Sequence, residues 1–403
     1  MKAATCAERA AWLVVLGGVA AALHVGKLPP ALPLLRDELG LTLVEAGFLL
    51  SLVQLAGMAL GLVAGLAADG LGLKRTMVLG LLVCGVASLA GGATQSTGVL
   101  LVLRAVEGLG FLLASMPAPG LIRRLVPPQR MSAMLGVWGT YMPFATALAL
   151  LLGPAWMAWT GWAAWWWLLG AVSLAMAAWL GGRLPPDPVG TGAAADLALR
   201  VRQTLTAGGP WLVALAFGVY SAQWLAVIGF LPSIYRDAGL DPRWSAVATA
   251  TVAGVNMVGN LASGRLLQRG VPPRHLLVAG YLVMAAGALL AFAELLPAGP
   301  LGAATRFAAV AAFSMVGGVI PGTLFSLAVR VAPNERTVST TVGWMQQWSA
   351  LGQFAGPPVV AWVAARAGGW QWSWAVTGSC ALAGVALAGA IARLPQARLQ
   401  PTH

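Results

Sequence analysis

The segment "LPLLRDELGL" (32–41) returns as "LPSIYRDAGL" (231–240), with Pro33 matching Pro232, Gly40 matching Gly239 and Leu41 matching Leu240 at an offset of 199. Gly65 meets Gly264 at the same offset, so "GLAADGLGLKR" (65–75) has a counterpart in "GRLLQRGVPPR" (264–274), with Gln268 where the first copy has Asp69. Further along, "LVPPQR" (125–130) answers "VAPNER" (331–336) and "LLGP" (151–154) answers "FAGP" (354–357), at offsets a few residues larger. Four matches in one order describe a duplicated chain.

What is duplicated is apolar. Of the 403 residues, 59% are hydrophobic and 9% charged, and mean hydropathy is +0.81. Soluble domains carry roughly a quarter charged residues. Twelve stretches are each long enough to cross a hydrocarbon layer as a helix: 11–35, 43–67, 76–94, 98–122, 132–153, 162–182, 211–235, 244–267, 275–296, 302–329, 338–363 and 372–392. Pro29, Pro30 and Pro33 bend the first without forbidding it, because neighbouring helices satisfy freed backbone groups. Gly and Ala throughout the spans predict close helix packing, and no stretch alternates as a membrane β-strand does. The expected fold is an all-α integral membrane protein. Its twelve transmembrane helices form two pseudo-symmetric halves, 1–182 and 211–403, joined by a cytoplasmic linker at 183–210. Parallel repeats of this kind place a substrate site near the midplane between the halves.

Net charge is +12, and position explains it. With both termini in the cytoplasm, 17 of the 24 Lys and Arg fall in cytoplasmic segments, whereas Arg36, Arg236, Arg243 and Arg366 fall outside. That is the positive-inside pattern, so the basicity sets topology and predicts no nucleic-acid partner. The basic start followed by an apolar run reads as an uncleaved first helix, since its removal would put the loop charges on the wrong sides. Cys6, Cys84 and Cys380 offer neither a metal spacing nor a disulfide framework.

Asp69 is the odd charge in its loop. Lys74 and Arg75 hold the loop inside, whereas acidic residues contribute little to orientation. A carboxylate there can pair with a base or face a helix N-terminus, and the eleventh span starts on the same side. The pattern Gly65, Ala68, Asp69, Gly72, Lys74 resembles the signature loop of the major facilitator superfamily, with Gly70 and Leu73 where basic residues are usual. The resemblance implies a secondary transporter, with Gly65, Asp69, Gly72, Lys74 and Arg75 latching the cytoplasmic ends of the halves.

Few ionisable residues lie within the spans, and each is a functional candidate by default. His24 and Lys27 are three apart on one helix face, as are Arg104 and Glu107; Arg306 enters span ten near the position that repeats Arg104. "VLRAVEGLG" (102–110) resembles the superfamily's helix-four motif, in which the Arg is associated with proton coupling. Arg104 and Gly108 match, and Glu107 stands where Gln is more usual. The resemblance implies proton coupling through His24, Arg104 and Glu107, and a cavity lined by helices one, four, seven and ten that gathers Lys27, Arg104 and Arg306. Three cations against one carboxylate would favour an anion. Each group also has a bland reading: Lys27 snorkels to the interface, Arg104 and Glu107 close into a packing ion pair, Arg306 lies in headgroups, and His24 is a hydrogen-bonded packing residue.

Tyr141, Gln223, Trp224, Asn256, Trp344 and Gln347 are the expected polar and aromatic substrate contacts, while "WAAWWW" (162–167) reads as an interfacial belt. The expected function is a proton-coupled transporter of a small anion, a monomer in a bacterial-type inner membrane, with no cofactor or metal. Through "GKLPPALPLLRDELGL" and "GVWGTYMP" the chain resembles the cyanate and nitroimidazole permease type. A drug exporter is the alternative, although 136–154 lacks the usual helix-five motif. No nucleophile–base pair or nucleotide-binding loop supports an enzyme.

Overall fold

A computed structural model of the chain describes residues 2–62, 72–187, 197–297 and 299–394, and the regular elements among them are all helical. Span 1 is Lys2–Gly26 and Leu28–Leu39, meeting at Lys27. Span 2 runs from Leu43–Ser51 through a 3₁₀ turn at Leu52–Gln54 and on to Leu62. Span 3 is Leu73–Gly92, and span 4 joins Thr97–Ser115 to Ala118–Leu125. Spans 5 and 6 comprise Pro128–Trp138 and the 43-residue helix Tyr141–Arg183, which breaks at Gly161, φ +77. After the short helix Leu197–Thr206 come span 7 (Gly208–Asp237), span 8 (Pro242–Gln268) and span 9 (Pro273–Phe292). Span 10 is Pro300–Gly317 with Val319–Val331, span 11 Val338–Ala367 and span 12 Ser373–Ala392.

Among the described residues nine runs are apolar and long enough to cross a membrane. One of them, Met134–Arg183, is the pair broken at Gly161, and spans 8 and 11, 27 and 30 residues long, fall outside the nine. Both carry polar side chains, Asn256 and Asn260 on one and Gln346, Gln347 and Gln353 on the other, which lowers their hydropathy without shortening them. Loops alternate between two faces. The face at which span 1 begins and span 6 ends is called the terminal face below, and the other the far face.

The repeated residues have structural reasons. Gly40 (φ +63) and Gly239 (φ +76) each follow a helix in the left-handed conformation, which favours glycine. Thr42 and Asp241, also 199 apart, each cap the next span. Thr42 Oγ1 accepts from Glu45 N at 3.2 Å, and Asp241 Oδ1 accepts from Arg243 N at 2.9 Å.

Spans 1 and 7 are the most enclosed of the apolar runs. Glycines set the spacing. A Cβ on Gly80 would strike Ala114 N, which joins spans 3 and 4, and one on Gly26 would lie 2.8 Å from Thr146 Cα, which joins spans 1 and 5. Span 1 also packs on span 7, span 2 on span 11, and span 5 on span 8.

At the terminal face Asp187, just beyond span 6, caps span 3. Its Oδ1 accepts from Lys74 N at 3.0 Å and its Oδ2 from Arg75 N at 3.1 Å, while Lys74 Nζ donates to the Leu184 carbonyl at 2.7 Å and Arg124 lies 3.6 Å away. Gly72 (φ +93) lets the chain turn tightly here, since a Cβ would meet Asp187 Oδ2. Gly65 and Asp69 lie outside the described residues.

Candidate functional site

Four of the expected residues meet inside the first six spans. Glu107 (span 4) accepts from Lys27 Nζ through Oε1 and from Arg104 through Oε2, the latter at 2.5 Å. His24 Nδ1 lies 3.4 Å from Lys27 Nζ and 3.5 Å from Glu107 Oε1, and Nε2 lies 2.7 Å from Ser173 Oγ in span 6. With Lys27 donating to Nδ1, the imidazole proton belongs on Nε2, facing Ser173. Lys27 also donates to Ser88 Oγ in span 3 at 2.8 Å and sits 4.5 Å from the Trp166 ring centre.

The cluster is sealed: His24 and Lys27 are 0% exposed, Arg104 and Glu107 1%. Lys27 therefore does not snorkel. Arg104 also ties three helices together, donating NH1 to the His24 carbonyl (2.7 Å) and Nε to the Leu49 carbonyl (3.3 Å), while NH2 is buried with no hydrogen-bond partner among the described residues. A lysine and an arginine thus face one carboxylate.

"WAAWWW" is not the interfacial belt expected. Trp162, Trp165 and Trp166 are buried, and Trp167 is about half exposed. Trp165 Nε1 donates to the Lys27 carbonyl at 3.3 Å, and the Trp166 carbonyl accepts from Ser88 at 2.7 Å. Positions 162, 165, 166 and 169 lie on one helical face, and that spacing was the available signal for an inward wall. Ser88 and Ser173 carried no signal, because lone serines in apolar helices are ordinary.

The other expected residues lie elsewhere. Arg306 donates to the Leu296 carbonyl at 2.9 Å, in the loop preceding its own helix. Asn256 donates to Tyr220 OH (3.0 Å) and to the Ser314 carbonyl (2.8 Å), and Trp224 donates to Ser314 Oγ (3.3 Å), a self-satisfied cluster within the last six spans. Gln223 donates to the Val219 carbonyl of its own helix, and its buried Oε1 has no partner among the described residues. Tyr141 stacks on Trp138 with centroids 4.2 Å apart, Trp344 packs edge-on against Trp211, and Gln347 Oε1 accepts from Leu62 N at 2.9 Å, joining spans 11 and 2.

The fold is that of a helical membrane protein with a buried charge cluster inside its first six spans. The chain belongs to the Major Facilitator Superfamily, which it matches over residues 14–357, and it is a multi-pass membrane protein. It is 33% identical over 196 residues to the puromycin resistance protein pur8 of Streptomyces alboniger, a match covering 48% of this chain and 38% of that one. It is 27% identical over 256 residues to the probable sulfoacetate transporter SauU of Cupriavidus necator, covering 59% and 60%. The matches thus span less than two thirds of these relatives. In fold it superposes on the crystal structure of a bacterial homologue of the human lysosomal transporter Spinster, inward-facing and occupied. The TM-score is 0.80 at 15% identity, over 98% of this chain and 99% of that one.

Proposed function

We propose that the chain is a proton-coupled secondary transporter of a small anion, an organic carboxylate or a compact inorganic one, working by rocking of the halves 1–182 and 211–403 about the linker 183–210. The observation that carries this reading is the charge imbalance of the sealed cluster, with Lys27 and Arg104 against Glu107 and one guanidinium nitrogen unpartnered. An uncompensated buried charge costs several kcal/mol, and an anion beside Arg104 NH2 offsets that cost. A proton taken up by Glu107 adds one positive charge to the cluster, and a monovalent anion removes one. The two therefore enter together, with His24 beside Glu107 as the second proton-bearing group.

The probable sulfoacetate transporter among the relatives supports an anionic solute. The terminal face is the cytoplasmic side of a bacterial-type inner membrane, where the loop holding Gly65, Asp69, Gly72, Lys74 and Arg75 acts as the latch in a monomeric carrier. Thermal unfolding of the purified protein against a panel of small carboxylates and inorganic anions tests the reading. An anion at 100 times its Kd adds about 2.7 kcal/mol of stability, and Arg104→Gln removes that shift. No shift with any anion, or the same shift in the variant, contradicts it.

One observation favours a second reading, a proton-coupled drug or metabolite exporter. The charges are walled into the first six spans, whereas the seam between spans 2 and 11 presents amides and small residues. The puromycin resistance relative fits that reading. Stabilisation by neutral or cationic amphiphiles and not by anions would favour it.

A further inference from the structure

Span 2 changes from α to 3₁₀ at Leu52–Gln54, in the middle of its run from Leu43 to Leu62. A mid-helix 3₁₀ stretch marks a hinge. Two residues of span 4 press on this point. Gly108 is so close that a Cβ would strike the Val53 carbonyl oxygen, and Arg104, one turn earlier, donates Nε to the Leu49 carbonyl. The charge cluster thus touches span 2 where its helical hydrogen bonding is interrupted.

At the end of the same turn stands Gln54, 3% exposed. Its Nε2 donates to Gln353 Oε1 of span 11 at 3.1 Å; Gln353 Nε2 donates to Ser349 Oγ at 3.3 Å, which lies 2.7 Å from Ser221 Oγ of span 7. Either side of Gln54 the two spans are in close contact. Cβ atoms on Gly47 and Gly57 would each lie 2.9 Å from atoms of Pro358 and Ala350, and one on Gly61 would lie 3.1 Å from Gln347. The amide pair is the side-chain hydrogen bond at the centre of that closely packed seam.

We propose that Gln54 and Gln353 are positioning residues that relay the charge state of the His24–Lys27–Arg104–Glu107 cluster to the seam between spans 2 and 11. The proposal rests on the proton-coupled reading of that cluster. With Glu107 ionised, Arg104 is held between Glu107, the His24 carbonyl and the Leu49 carbonyl, and the 3₁₀ turn keeps Gln54 on Gln353. When Glu107 takes a proton, Arg104 loses its counter-charge and releases Leu49, whose carbonyl returns to α-helical bonding. Converting three residues from 3₁₀ to α rotates the remainder of span 2 by roughly 60° and shortens the axis by about 1.5 Å, enough to part a hydrogen bond of this length. The two-state element is the turn itself, which is what a coupling claim requires. Facing Glu107 are Lys27 and His24 from span 1, Arg104 from its own span and the Cys84 thiol from span 3, which donates to the Glu107 carbonyl at 3.4 Å.

Hydrogen–deuterium exchange of the full-length protein in lipid nanodiscs tests this without a substrate, so its outcome is independent of which solute is carried. Glu107→Gln, which mimics the protonated carboxyl, is expected to speed exchange in segments 49–57 and 347–356 at least fivefold. Gln54→Met should speed the 347–356 segment alike, and the double variant should add nothing further. In the wild type, exchange of 347–356, corrected for the intrinsic rate, should depend on pH; in Gln54→Met that dependence should vanish. This second comparison stands even where Glu107→Gln does not fold. Unchanged exchange of 347–356 in Glu107→Gln, additive effects in the double variant, or a pH dependence that survives Gln54→Met overturns the relay. No anion-induced thermal shift in the wild type, with these exchange results intact, overturns the transport reading and leaves the relay standing.

Discussion

Asp37 and Arg236 lie 199 residues apart, the interval at which the chain repeats itself, and their side chains meet at 2.7 Å. Repeat-related positions that touch one another lie on the axis relating the two copies. Arg236 also donates to the Pro33 carbonyl at 3.0 Å. The neighbouring pair of equivalents, Glu38 and Asp237, does not meet; each accepts from an indole N–H of its own half, Trp162 at 2.8 Å and Trp370 at 3.0 Å. Spans 1 and 7 are thus joined at the far face by one ion pair flanked by two indole–carboxylate bonds.

Reversing one partner, as Asp37→Arg or Arg236→Asp, is expected to loosen this far-face contact, and the double reversal to restore it. The pair is partly exposed, so it contributes about 1 kcal/mol or less, and the shift is about two- to fivefold. A cysteine replacing buried Leu32, in a background with Cys6, Cys84 and Cys380 changed to serine, reports the opening through its labelling by a membrane-impermeant maleimide. If the double reversal labels as fast as either single one, the ion pair is not what closes this face.

Glu107 holds two buried cations, so Glu107→Leu should destabilise the protein by about 3–5 kcal/mol, whereas Lys27→Met with Glu107→Met, which removes a cation with its carboxylate, should recover much of that loss. Thermal unfolding of the wild type and the two variants in one detergent measures this. Equal losses in the single and double variants would mean that charge balance is not what the cluster maintains.

The fold was legible because the signals for it are local and repeated. Membrane-length apolar runs and the glycines at 40 and 239 are signals carried by short stretches of chain and repeated in both halves. The cluster was half legible. A charge within an apolar run is conspicuous, and a three-residue spacing puts His24 with Lys27 and Arg104 with Glu107 on shared faces. The direction of those faces was not, because it depends on how whole helices rotate against each other. Lys27 and Arg104 accordingly point into the first six spans, and Arg306, near the position that repeats Arg104, reaches back to the Leu296 carbonyl. Ser88, Ser173, Gln54 and Gln353 were silent, since their importance lies in partners 61 to 299 residues distant.

Asp187 caps span 3 from beyond span 6, and Asp187→Ala should cost about 1 kcal/mol. Gly72→Ala should cost at least as much, because the new methyl would strike Asp187 Oδ2 and the backbone there has positive φ. The two changes address one contact, so their thermal shifts should combine to less than their sum. Full additivity would show that the cap and the turn act separately.

The central claim is that Lys27, Arg104 and Glu107 couple an anion to a proton. It is tested most directly by uptake into proteoliposomes of the purified protein, across a panel of small carboxylates and inorganic anions, with and without an inward pH gradient, for the wild type, Lys27→Gln and Arg104→Gln. The account predicts gradient-stimulated uptake of an anion, lost in both variants. Undiminished uptake in the variants, or transport confined to cations and neutral amphiphiles, would contradict it.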